Sequence, residues 1–215
     1  LRRSLLIGLS IRKAGKQEKK MDLLLATDNQ HKSREFRELL GREFKVSDLR
    51  SFPEIAMPEE TGRTFEENAV LKAIAASTNR QSLVIADDSG LEVDALGGAP
   101  GIYSARYAGE NASDRNNVDK LLGELRDRNE KWPARFRCVI ALARNGRLLG
   151  TFEGSVEGEV VDLPRGTNGF GYDPVFQPKG FEQTFAEMAA ELKNKISHRA
   201  KAIAALCEAL RKIGD

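Results

Sequence analysis

The sequence predicts an α/β protein with a mixed, twisted sheet covered by helices. Short apolar runs of strand length alternate with stretches of helical periodicity over the first half of the chain. In the second half Phe136, Cys138, Ile140 and Leu142 alternate with other residues, and Asn145-Gly146 then supplies a hairpin turn. An antiparallel ribbon joined to a βα-alternating half makes the sheet mixed. With 215 residues, 40% of them hydrophobic, the chain can bury the core of one domain.

Each element has a local reason. Residues 22–27 form an apolar strand, and Asn29 caps a helix whose buried stripe is Phe36, Leu39 and Leu40. Residues 44–47 read as a second strand, and 48–63 as a loop punctuated by Pro53, Pro58 and Gly62. Thr64 and Glu67 make a capping-box pattern ahead of an alanine-rich helix that runs to about Ser77. The apolar run 83–86 is a buried strand that ends on Asp87 and Asp88, followed by Ser89-Gly90 and the small-residue loop 97–101. Ser113 caps a helix with the face Val118, Leu121, Leu122 and Leu125. After the hairpin, 147–152 returns antiparallel, 157–162 adds a further strand, and 166–173 is a glycine-rich loop. Thr184 and Glu187 open a short helix, and Ser197 caps the last one, whose face is Ile203, Leu206, Cys207 and Leu210. A cleft between the ribbon and the helical part is the natural ligand site.

Charge divides the chain. The formal net charge is +2, but residues 1–20 carry +6 and residues 21–215 carry −4. The basic stretch 1–20 is expected to be an extension, disordered or translated from upstream of Met21, ahead of one domain at 21–215. A targeting segment and a nucleic-acid-binding tail are the alternatives. The acidic body offers no basic face for a nucleic-acid groove, and no apolar run approaches the roughly 20 residues of a membrane span. Cys138 and Cys207 fit neither a ligand spacing nor a disulfide framework, so free thiols in a reducing cytoplasm are expected.

The chain lacks GxxxxGK[ST], HExxH and CxxC, and its two histidines make a zinc site improbable. Carboxylate, lysine and glycine chemistry remains. The segment Thr27-Asp28-Asn29-Gln30-His31-Lys32 leaves a strand and opens a helix, where backbone N–H groups and a first-turn lysine suit a triphosphate. An ordinary cap with an exposed lysine has the same spacing. Glu59, Glu60, Asp87 and Asp88 are hard oxygen ligands of the kind Mg²⁺ takes together with phosphate oxygens; a solvated loop and a turn are the plainer readings. Phe170 and Tyr172 lie among the glycines of 166–173, where Phe170 can stack on a planar base or simply join the core. Lys193 and Ser197-His198-Arg199 concentrate hydrogen-bond donors near a helix start, or are a cap with exposed basic side chains.

The blocks ATDNQHK (26–32), EETGRTFEENAVLKA (59–73), ADDSGLEVDALGGAPGIYSARYAG (86–109), GTNGFGYDPVF (166–176) and KNKISHRAKA (193–202) together resemble the inosine/xanthosine triphosphate pyrophosphatases. They cover nearly everything after Met21. The resemblance implies an elongated mixed sheet with flanking helices forming two lobes around a central groove, usually as a homodimer. It implies Mg²⁺-dependent cleavage of dITP, ITP or XTP to the monophosphate and pyrophosphate. By position, Thr27, Asn29 and Lys32, with Asp28, Gln30 and His31 between them, match the triphosphate segment. Glu59 and Asp88 match the metal-binding acids, Asp88 also matches the residue that activates water, and Asp87 is its supporting neighbour. Ser89, Phe170, Gly171, Tyr172, Asp173, Lys193, His198 and Arg199 match substrate-binding positions, and Lys72 a lysine near the phosphates. Position 28 is Asp where the family often has a small residue, which adds negative charge there. The rival functions are a related pyrophosphatase for damaged pyrimidine or methylated nucleotides, a nucleotide-sensing module without catalysis, and a nucleic-acid binder using the tail.

Overall fold

The computed structural model describes residues 20–41, 43–127 and 131–214. The basic extension expected at 1–20 lies, but for Lys20, outside the described residues.

Six strands, β1 (Met21–Leu25), β2 (Phe44–Asp48), β3 (Leu83–Val93), β4 (Trp132–Arg144), β5 (Arg147–Val160) and β6 (Phe176–Pro178), form one sheet in the order β2-β1-β3-β4-β5-β6. β1 pairs parallel with β2 and β3, and the other pairs are antiparallel, so the sheet is mixed as expected. Helices α1 (Gln30–Leu40) and α2 (Phe65–Ser77) are the crossovers between the parallel strands. Helices α3 (Asp114–Leu125), α4 (Ala190–Ile196) and α5 (His198–Gly214) come later.

The period of two along each strand distributes the core. Leu23, Leu25, Ile85, Cys138, Ile140 and Leu142 point to one face and pack on Phe36 and Leu40 of α1 and on Ile203, Leu206 and Leu210 of α5. Leu24, Ala26, Val84, Ala86, Val139 and Ala141 point to the other and meet Phe65, Ala69, Ala73 and Ala76. The alanines let α2 lie close to the sheet. A third cluster, Leu91, Val93, Leu121, Leu125, Phe136, Phe176, Phe185 and Met188, forms a second lobe where the sheet curls beyond the first two helices.

Sequence and structure agree on the caps. Asn29 Oδ1 accepts the backbone N–H groups of His31 and Lys32, Thr64 Oγ1 that of Glu67, Ser113 Oγ that of Asn116, and Ser197 Oγ that of Ala200. Asn145 (φ 51°) and Gly146 (φ 71°) make the left-handed pair of the β4–β5 hairpin.

Three expectations are corrected. β3 does not end at Asp87-Asp88; it continues to Val93, fully paired with β4, so the two acids lie inside a strand. The separate strand at 157–162 is the end of β5, which runs unbroken through Gly154 and Gly158. Gly154 marks a close approach and not a break: a Cβ there would stand 2.2 Å from the His198 carbonyl oxygen, so it lets α5 lie on the ribbon. No helix opens at Thr184. Glu187 does accept the Thr184 N–H at 2.8 Å, but Phe185 and Ala186 donate their N–H groups to the carbonyls of Phe176 and Asp173, which holds the segment as a turn against the glycine-rich loop. The short edge strand β6 was not foreseen. Among the described residues no helix is long and apolar enough to cross a membrane.

Candidate active site

A cavity of about 530 Å³ opens between the lobes. Of the sequence-predicted residues, Thr27, Asp28, Asn29, Lys32, Lys72, Asp88, Ser89, Phe170, Gly171, Tyr172, Asp173, Lys193, His198 and Arg199 line it. Alternation along β3 separates its two adjacent acids. Asp87 follows Ile85 onto the α1/α5 face, and Asp88 follows Ala86 onto the α2 face. The adjacent carboxylates therefore point to opposite faces, although Lys32 and Lys72 act on both.

Asp87 lies beneath the cavity floor, its side chain fully buried, with its Oδ2 3.0 Å from Lys32 Nζ and 3.3 Å from Arg199 Nη2. Burial alone would raise its pKa, but Lys32, Arg199 and Lys72 overcome this and hold the carboxyl well below the usual range. Asp88 has the opposite balance. Burial pushes it up, Glu60 adds to this, and Lys72, Lys32 and the Asn68 amide only partly compensate. A carboxylate kept more basic than usual and facing a cavity suits proton abstraction from water.

Glu60 was grouped with the candidate acids, and the structure gives it a larger part. Its Oε1 lies 2.7 Å from Lys72 Nζ and its Oε2 3.1 Å from Arg106 Nη1, while Lys72 also reaches Asp88 Oδ1 at 3.7 Å. Burial lowers the proton affinity of Lys72, but Asp88, Asp87 and Glu60 more than restore it, so it stays charged. Glu59 is exposed and lines an adjoining depression that shares Glu60 and Arg106 with the main cavity. Gln30 is exposed at the start of α1, outside the cavity lining.

Around Phe170 the basic side chains form a buried relay. Lys193 Nζ lies 2.6 Å from Asp173 Oδ2 and 2.9 Å from Glu35 Oε1, and Arg199 pairs with Glu35 and Asp87. Burial would raise the Glu35 carboxyl, but Arg199 and Lys193 keep it below its usual value. Phe170 stacks on His31 at a centroid distance of 5.2 Å, with Lys193 Nζ 5.3 Å and Arg199 Cζ 5.8 Å from its own ring centre. Tyr172 is buried and donates its hydroxyl to the Ser104 carbonyl, bracing the loop against the second lobe. His198 stacks on Phe136 at 4.8 Å; burial, then Arg199 and Lys193, push its pKa well below the usual histidine value, so the ring is neutral. Asp87 Oδ1, His198 Nδ1 and Arg199 Nε are buried without a hydrogen-bond partner. Unpartnered buried polar atoms of this kind call for a ligand or water.

Glu35, Asn68 and Arg106 were not foreseen. Glu35 could have been found: it lies one helical turn after Lys32, on the same side of α1. Asn68 and Arg106 carried no local signal. Cys138 is buried beneath Asp87, and burial raises its thiol to about 12, so it is an inert core group.

The fold and the cavity define a mixed-sheet α/β protein whose two lobes enclose a charged groove lined by lysines, acids, an aromatic face and buried donors. The chain belongs to the Ham1 family, whose profile matches residues 23–209. It is 54% identical over 187 residues to a dITP/XTP pyrophosphatase of Bacillus licheniformis, covering 85% of this chain and 94% of that one. It is 48% identical over 193 residues to the protein of the same name in Bacillus subtilis, covering 88% and 96%. Among solved structures, the Ham1 protein of Staphylococcus aureus superposes with a TM-score of 0.79 at 43% identity, covering 90% of this chain and all of that one. A HAM1 protein of Coxiella burnetii gives 0.80 at 41% identity, covering 89% and 99%.

Proposed function

We propose that this protein hydrolyses non-standard purine nucleoside triphosphates (dITP, ITP and XTP) to the nucleoside monophosphate and pyrophosphate, removing them from the nucleotide pool. The observation that carries the reading is the composition of the groove: Asp88 sits beside Lys72, near Lys32, and the buried donors of Lys193 and Arg199 meet Phe170 in the same cavity. The names of the relatives support it.

Residues 21–215 carry the activity in this reading. Thr27, Asn29 and Lys32 receive the triphosphate at the start of α1, and Lys72 offsets charge on the departing pyrophosphate. Asp88 takes a proton from the water that attacks the α-phosphorus, and the bond from that phosphorus to the bridging oxygen breaks. One water is consumed, and the products are a monophosphate and pyrophosphate.

Among the described residues no three Asp, Glu, His or Cys side chains form a ready-made metal cage. Asp88 and the Glu59-Glu60 acids are hard oxygen donors of the kind Mg²⁺ takes one or two at a time, completing its shell with water and substrate phosphate. Asp88 and the acids of the Glu59-Glu60 loop would hold it, and when bound it would supply charge neutralisation to the phosphates.

Base selection follows from hydrogen bonding. Hypoxanthine and xanthine present an oxygen at C6, which can accept from Lys193, His198 or Arg199, whereas adenine presents an NH₂ group and would leave donors facing a donor. Asp173 holds Lys193 in place. A homodimer, a cytoplasmic location and no nucleic-acid or membrane partner belong to the same reading.

Pyrophosphate release measured over a panel of triphosphates with Mg²⁺ tests this. The expected kcat/KM for ITP, dITP and XTP exceeds that for ATP and GTP by much more than about tenfold. Similar values for ITP and GTP would contradict the assignment.

A further inference from the structure

Asn68, in the first turn of α2, is completely buried, and its amide is committed on both sides. The Gly62 N–H donates to Asn68 Oδ1 at 2.8 Å, and Asn68 Nδ2 donates to Asp88 Oδ2 at 3.1 Å. An amide has one accepting and one donating end, so the bond from Gly62 leaves only the NH₂ group to face Asp88. The other oxygen of Asp88 accepts the Ser89 N–H at 3.1 Å. Both carboxylate oxygens are thus held, and the rotation of the group is fixed. Gly62 follows Glu60 by two residues, so the same amide ties the Glu59-Glu60 loop to the strand that carries Asp88. The approach is close: a Cβ on Gly62 would stand 2.6 Å from Asn68 Oδ1 and 2.9 Å from Asn68 N. Asn68 does not line the cavity.

We propose that Asn68 is a positioning residue for the hydrolysis: its amide, itself fixed by Gly62, sets the orientation of the Asp88 carboxylate. The inference rests on the reading of Asp88 as the group that activates water. Asn68 touches no substrate, so its loss acts on turnover and spares affinity.

Asn68→Asp keeps the shape and the acceptor for Gly62 but cannot donate as a carboxylate and sets a like charge against Asp88. Its kcat for ITP is expected to fall about 100-fold, the scale of a misplaced catalytic group. Inosine monophosphate, used as a competitive inhibitor, should bind within about threefold of the wild-type affinity, because only the transition state loses an interaction. Asn68→Ala, which adds no buried charge, serves the same purpose if the first variant does not fold. The decisive arm combines Asn68→Ala with Asp88→Asn. A residue acting through Asp88 leaves the double variant turning over no more slowly than Asp88→Asn alone, whereas a general effect on the fold multiplies the two losses. Multiplied losses, or single-variant turnover within about threefold of wild type, overturn the proposal. Wild-type turnover in Asp88→Asn alone would instead remove the reading beneath it.

Discussion

Asp88→Asn is expected to lower kcat for ITP by about 10³-fold, within the range for loss of a positioned general base. Its thermal stability should hold. The reason is the environment of the carboxyl: burial and Glu60 disfavour the ionised form in the folded protein. An amide of the same shape removes that unfavourable charge and its oxygen can still accept from Asn68, which offsets the loss of the oxygen that accepts the Ser89 N–H. Groups kept at a cost to the fold are typical of reacting positions. Kinetics and a melting curve on one preparation check both halves. An inactive variant that melts far below wild type would mean Asp88 holds the structure; an active one would mean it does not activate water.

Arg199→Met is expected to damage the fold. The guanidinium is buried between Glu35 and Asp87, and both carboxyls are held below their usual pKa by their cations. Removing Arg199 leaves Asp87 with Lys32 and Glu35 with Lys193, each missing a partner in a dry setting. Breaking a buried charge pair from one side costs about 3–5 kcal/mol. For a chain of this size that corresponds to a melting point lower by roughly 6–20 °C. Calorimetric unfolding measures it, and a shift under about 2 °C would show that these charges contribute little. The two adjacent acids of β3 are thereby assigned different duties, Asp87 to the frame and Asp88 to the reaction.

That division is where the sequence was hardest to read. The βα alternation, the caps at Asn29, Thr64, Ser113 and Ser197 and the Asn145-Gly146 turn are local, and local chemistry made them legible. So were most groove residues, because they fall in contiguous blocks. Asp87-Asp88 looked like the end of a strand, since two carboxylates inside an apolar strand are costly in isolation. The lysines and the arginine that neutralise them come from α1, α2 and α5, far away in the chain. The expected break near Gly154 failed for a related reason: the glycine answers to α5 and not to its own strand. Glu60 and Asn68 act through contacts with Lys72, Arg106, Gly62 and Asp88 that only the folded chain brings together.

The central claim is that water, handed on by Asp88, attacks the α-phosphorus of a purine triphosphate. Hydrolysis of ITP in ¹⁸O-labelled water, followed by mass spectrometry of both products, tests it most directly. The expected label is one ¹⁸O in the phosphate of inosine monophosphate and none in pyrophosphate. Label in pyrophosphate, or orthophosphate as the first product, would contradict the account.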